Sequence, residues 1–227
     1  MIPLGRPVYN AINPPRDHEN EIVKGTIGGK VYGENGQEYL LTCFHCIKNP
    51  ALDYAHFRID NTNNLVNIID EQYMELTHFG QVIEAKRDNR VDVALIQANY
   101  PVANTIPKVG KVNDKRILTN ADKGRYVLRK YGQISKYTEG TFLGISDSIG
   151  APYGTGTAKH FFDQLIAIAS TEGDFAVEGD SGAFVLSETN DVVGIIVIVD
   201  RANRVSYAIP IEEILTSFTI PLKIKHP

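Results

Sequence analysis

Tryptophan is absent from this chain, and cysteine and methionine occur only twice each in 227 residues. Two cysteines, Cys43 and Cys46, cannot build the dense disulfide framework on which small secreted domains rely, so an intracellular, reducing, cytoplasmic location is expected. No apolar run approaches the roughly 18 residues of a membrane-spanning helix, which argues against a membrane partner. The opening residues, Met1 to Pro7, lack the basic stretch followed by an apolar one that marks a signal peptide. No Lys/Arg block stands out: 23 basic residues face 27 acidic ones, and a net charge of −4 offers no footprint for nucleic acid. Internal repeats and low-complexity tracts are missing too. What remains is an ordinary globular composition, 43% hydrophobic and 22% charged, in a length that suits one large all-β domain or two small barrels sharing a core.

Residues 1–21 hold four prolines among Asn, Asp and Arg, and read as an extended arm outside the core. From Ile22 onward, short β-rich runs follow one another. Thr26–Tyr32 and Glu38–Thr42 flank an Asn35-Gly36 pair, a strong hairpin signal because both turn residues tolerate positive φ. Further runs stand at Leu65–Ile69, Gln81–Ala85 and Val91–Ile96. A polar, proline-containing stretch, about Asn99 to Asp122, then connects two halves. The second half supplies Arg125–Arg129, Thr141–Ile145, Gln164–Ile168, Ala183–Leu186, Val192–Val199 and Val205–Ile209. Only Ile211–Phe218 has helical spacing. Short strands at near-regular intervals predict an all-β fold, a sandwich or barrels, in two segments, 22–110 and 111–227, with a short C-terminal helix.

Three local patterns carry chemistry. Leu41-Thr-Cys-Phe-His45-Cys46 puts a histidine just after a strand; Val91-Asp92-Val-Ala-Leu-Ile opens an apolar strand with an aspartate; Glu178-Gly179-Asp180-Ser181-Gly182 is a turn presenting a serine. Any one of them has an ordinary structural reading as a core histidine, a strand-start cap or a turn. Together they supply nucleophile, base and acid. A serine hydroxyl attacks poorly until an imidazole takes its proton, and a carboxylate on the far ring nitrogen sets the tautomer. The order His, Asp, Ser excludes an α/β-hydrolase, which runs Ser, acid, His with Gly-x-Ser-x-Gly; here Ala183 stands two after Ser181.

These blocks, in this order and 47 and 89 residues apart, resemble the trypsin/chymotrypsin family, and the likeness runs from about Ile22 to Leu222. Leu128–Gly132, Thr138–Thr141 and Ala208–Ile211 resemble its bacterial members that lack a zymogen N-terminus. The resemblance implies two six-stranded-type antiparallel barrels and a serine endopeptidase acting on protein or peptide substrates. His45 is then the base, Asp92 its orienting acid and Ser181 the nucleophile, with the N–H groups of Gly179 and Ser181 forming the oxyanion hole. It puts Phe175 at the base of the specificity pocket and Val197, Ile198 and Val199 along its wall and the substrate backbone. Val199 and Val205 would crowd that pocket and favour a small or medium apolar P1 residue; a one-residue shift puts Asp174 at the base and favours Arg or Lys.

Three departures bear on the reading. The strand before His45 offers no cysteine to pair with Cys46, and a Cys43–Cys46 bridge would strain the histidine's own turn, so buried reduced thiols are expected, with a redox pair as the alternative. No cleaved N-terminus is evident to pair with Asp180, which leaves activation open to a regulatory or activating protein partner, or the chain itself to a silent binding role. Gly150–Thr157 lacks the Gly-Lys-Ser/Thr ending of a phosphate loop, and His18, His56, His78 and His160 have no ligand spacing, so neither cofactor nor metal is expected.

Overall fold

A computed structural model of the chain describes residues 1–10, 24–47, 65–70, 74–152, 159–170 and 172–225. Its first half comprises β1 (Pro7–Asn10), β2 (Gly25–Thr26), β3 (Gly29–Gly33), β4 (Glu38–Thr42), the single turn α1 (Phe44–Ile47), β5 (Leu65–Asp70), β6 (Met74–Arg87) and β7 (Asp92–Ala98). The connection carries only two-residue strands, β8 (Thr105–Ile106) and β9 (Gly110–Lys111), and a 3-10 turn at Asn120–Asp122. The second half comprises β10 (Val127–Gly132), β11 (Lys136–Ser146), β12 (Ile149–Pro152), β13 (Lys159–Phe162), β14 (Leu165–Ala169), β15 (Phe184–Leu186), β16 (Val192–Asp200), β17 (Val205–Pro210), α2 (Ile211–Ser217) and β18 (Leu222–Lys223).

The first half folds as one antiparallel sheet in the order β18-β3-β4-β7-β6-β5-β1-β2. Only Ile27 and Gly28 separate β2 from β3, so the chain itself draws the far end of this sheet back to its beginning. The second half is a closed barrel, β10-β11-β14-β17-β16-β15, with the β12–β13 hairpin outside it. The Asn35-Gly36 hairpin forms where expected: Gly36 has φ +78°, and its N–H donates to the Gly33 carbonyl. One apolar core joins the halves, with Val31, Leu41, Phe79 and Leu95 of the sheet meeting Phe184, Leu186, Ile195 and Ile209 of the barrel. A second core, with Leu128, Phe142, Ile168 and Phe175, fills the barrel.

Two expectations are corrected. The described part of the N-terminal arm, residues 1–10, is not outside the core: Leu4 and Val8 are fully buried, and β1 pairs with both β2 and β5. Pro7 concealed this strand, yet proline is tolerated as the first residue of a strand. The halves are also less separate than the division at residue 110 implies, because β18, near the C-terminus, pairs with β3. The helix at Ile211 forms, with Glu212 and Glu213 in its first turn where they favour the helix dipole. The phosphate-loop-like run beginning at Gly150 lies partly in β12 and otherwise outside the described residues, as do His18 and His56.

Candidate active site

A hairpin turn positions the acid. In Asp88-Asn-Arg-Val91, Asp88 Oδ1 accepts from the N–H groups of Arg90 and Val91, and the Asp88 N–H donates to the Val91 carbonyl. This side-chain mimic of a backbone turn delivers Asp92 to the first position of β7, where it is fully buried. The base comes from the end of β4. After Thr42 the chain enters α1, which buries Phe44, Cys46 and Ile47 and leaves His45 with 20% of its side chain exposed. The His45 N–H donates to Asp92 Oδ1 at 2.9 Å, and His45 Nδ1 lies 3.3 Å from Asp92 Oδ2. Backbone and ring of one residue thus grip both oxygens of one carboxylate, which fixes the ring's orientation. Arg87, directly across the ladder, brings Nε to 3.8 Å from the same Oδ2.

Ser181 stands on a turn held from both halves. The Thr26 N–H donates to the Ser181 carbonyl at 2.7 Å, Thr26 Oγ1 donates to the Gly179 carbonyl at 3.0 Å, and the same hydroxyl accepts from the Gln133 N–H at 3.1 Å. The turn depends on glycine twice. Gly179 has φ +98°, and Gly182 has φ +95° with the Thr26 carbonyl 2.2 Å from where a Cβ would lie. The N–H groups of Gly179 and Ser181 have no partner among the described residues.

Asp180 points inward and is saturated. It accepts from the N–H groups of Ile134 (3.0 Å), Ser135 (3.2 Å) and Val177 (3.1 Å) and from Ser135 Oγ (2.5 Å), and it pairs with the fully buried Lys130 at 3.1 Å. The partner missing from the sequence reading is therefore Lys130, together with the loop after β10. Burial pulls the Lys130 amine below its ordinary pKa, and Asp180 opposes that shift. A period-2 count finds Lys130: it shares the inward face of β10 with Leu128 and Gly132, where a charge requires a counter-charge. Thr26 carried no comparable signal.

The thiols lie against the histidine. Both cysteines are buried and free; Cys43 Sγ donates to the Ile196 carbonyl at 3.2 Å, and Cys46 Sγ to the Ser181 carbonyl at 3.7 Å. Burial alone would lower the imidazole's pKa, but Cys46 and the Asp92 carboxylate overcome it and raise His45 from 6.5 to about 10. Burial works the other way on Cys46, and hydrogen bonding from Cys43 with the neighbouring imidazole lowers it to about 6.

The four expected pocket residues separate. Phe175 is fully buried in the barrel core, with the Lys130 ammonium 5.6 Å from its ring centroid and Val199 packed against the same cluster. Val197 and Ile198 belong to the core that joins the halves. Asp174 is half-buried.

No protein-family model matches the sequence, and no curated protein sequence matches it. Solved structures do match over nearly the whole chain. One is a glutamic acid specific serine protease that utilizes a novel histidine triad in substrate binding, at 15% identity and TM-score 0.64, covering 99% of this chain and 100% of that one. Thermobifida fusca Protease A matches at 17% identity and TM-score 0.61, covering 99% of each chain. Cellulomonas bogoriensis chymotrypsin matches at 17% and 0.60, covering 100% of this chain and 99% of that one. These neighbours are chymotrypsin/trypsin-like serine proteases, and the chain has their double-barrel fold.

Proposed function

We propose that the chain is a serine endopeptidase, with Ser181, His45 and Asp92 as its catalytic residues. The observation that carries this reading is His45 gripped by the buried Asp92 while a separate turn, braced by Thr26, presents Ser181 from the other half. In the forward step Ser181 Oγ attacks the peptide carbonyl, and His45 Nε2 takes the hydroxyl proton. The imidazolium is stabilised by Asp92 and returns the proton to the leaving amine, and water then releases the acyl group by the same route. The N–H groups of Gly179 and Ser181 stabilise the oxyanion; removing one such donor costs about 3–4 kcal/mol.

The half-buried Val199 and Val205, on adjacent strands β16 and β17, support a pocket for small or medium apolar P1 side chains. An intracellular setting and a regulating protein partner remain part of the proposal. The silent binding role loses its motive, because Asp180 has a full set of partners. The test is labelling with a fluorophosphonate, read by intact mass on wild type and Ser181→Ala. One adduct, absent from the variant, is expected; a folded wild type that takes up none, or a variant that still turns over peptide, would refute the assignment.

A further inference from the structure

Cys43 Sγ, a ring nitrogen of His45 and a carboxylate oxygen of Asp92 all lie within 4.8 Å of one another. The peptidase reading gives Cys43 no part. We propose that these three residues form a binding site for a borderline-soft divalent cation, Zn2+ in the first instance, and that occupancy switches the peptidase off.

The donors suit the ion. Thiolate, imidazole and carboxylate are the zinc ligand types, and four bonds near 2.0–2.1 Å place neighbouring N and O donors about 3.3 Å apart at tetrahedral angles. His45 Nδ1 and Asp92 Oδ2 are 3.3 Å apart. Water completes the shell. Cys43 thiolate and Asp92 carboxylate together neutralise the dication, which offsets the repulsion from Arg87 Nε, 3.8 Å from Asp92. Cys43 gives up its hydrogen bond to the Ile196 carbonyl in exchange. Sequence spacing conceals the site because Asp92 lies 47 residues from His45.

Binding and inhibition are linked by a proton. When Zn2+ binds, the Cys43 thiol proton and the proton on His45 Nδ1 leave to solvent as the metal takes Nδ1, and Nε2 keeps its own. Nε2 then carries a hydrogen and cannot accept one from Ser181. The inhibitory half rests on the peptidase reading; the binding half does not.

The test therefore begins with catalytically dead protein. Phosphine-reduced Ser181→Ala is titrated with Zn2+ by calorimetry in buffers of different ionisation enthalpy, and with Co2+ by absorption. One ion per chain, proton release and a thiolate-to-cobalt charge-transfer band are expected. Cys43→Ala in that background should lose the band and weaken zinc binding at least about tenfold, with Cys43→Ser as the volume-keeping check on folding. In the Ser181 protein, Zn2+ should block fluorophosphonate labelling and EDTA restore it, while Cys43→Ala labels with or without zinc. No uptake by Ser181→Ala, or unchanged affinity in folded Cys43 variants, overturns the site. A wild type that never labels yet takes up zinc through Cys43 supports the site and refutes the peptidase; one that labels and ignores zinc does the reverse.

Discussion

Asp92 and Asp180 are both fully buried, one in each half of the molecule, and they are satisfied in opposite ways. Asp180 accepts four hydrogen bonds and faces a buried lysine. Its donors are mostly backbone, so the carboxylate fastens the loop after β10 to the turn that carries Ser181. Asp92 spends one oxygen on the His45 backbone and the other on its ring. That ring is partly exposed and can change its protonation state. A saturated carboxylate fixes shape, whereas one whose main partner titrates can take part in a reaction.

The largest effect defines the working side. Ser181→Ala should lower kcat on the order of 10^6-fold, with circular dichroism unchanged. Next come the aspartates themselves. Asp92→Asn should lower kcat about 10^4-fold through the wrong histidine tautomer, with a small change in stability. Asp180→Asn leaves the Lys130 charge buried without its counter-charge, so urea denaturation should show a loss of about 3–5 kcal/mol. Adding Lys130→Met to Asp180→Asn should recover much of that stability. Equal stability losses for the two single Asn variants would break the comparison.

Thr26→Val keeps the shape but removes one donor and one acceptor from the brace on the serine turn. It should cost about 1–3 kcal/mol and lower kcat with little change in KM, as stopped assays and urea titration would read. The smallest effect is a shift in pH dependence. Only neutral His45 can accept the serine proton, so activity falls as pH drops below its folded pKa. Because Cys46 and Asp92 raise that pKa, the acid limb should lie above the ordinary imidazole value of 6.5. Cys46→Ala removes one of the two raising influences, so the limb of the kcat/KM profile should move down. A limb that stays in place would remove Cys46 from the histidine's electrostatics.

What the sequence disclosed follows from local chemistry. The Asn35-Gly36 hairpin, β7 opening on Asp92 and α2 beginning at Ile211 each rest on neighbours a few residues apart. The serine turn was legible because its glycines are required where they stand. Contacts made by closing the barrels were not legible. Lys130 meets Asp180 across 50 residues, and Thr26 meets Gly179 across 153. β1 was hidden by Pro7, and β18 is only two residues long, too short for any periodicity to register. Phe175 counts as a pocket residue by its distance from Ser181, but its full burial became visible only with the barrel closed around it.

The pairing of β18 with β3 has a consequence for how the chain is made. Leu222 lies opposite Gly33, and Lys223 opposite Tyr32, so β3 waits for a neighbour that the ribosome adds only after the strands of the serine-bearing half. The histidine-bearing half emerges first but cannot finish its sheet during vectorial synthesis until the serine-bearing half has followed it out. Such pairing raises contact order and slows folding, and it leaves the β3 edge open to stray strands while translation continues. The proposed triad draws on both halves, so peptidase activity would appear only once both have been made and joined.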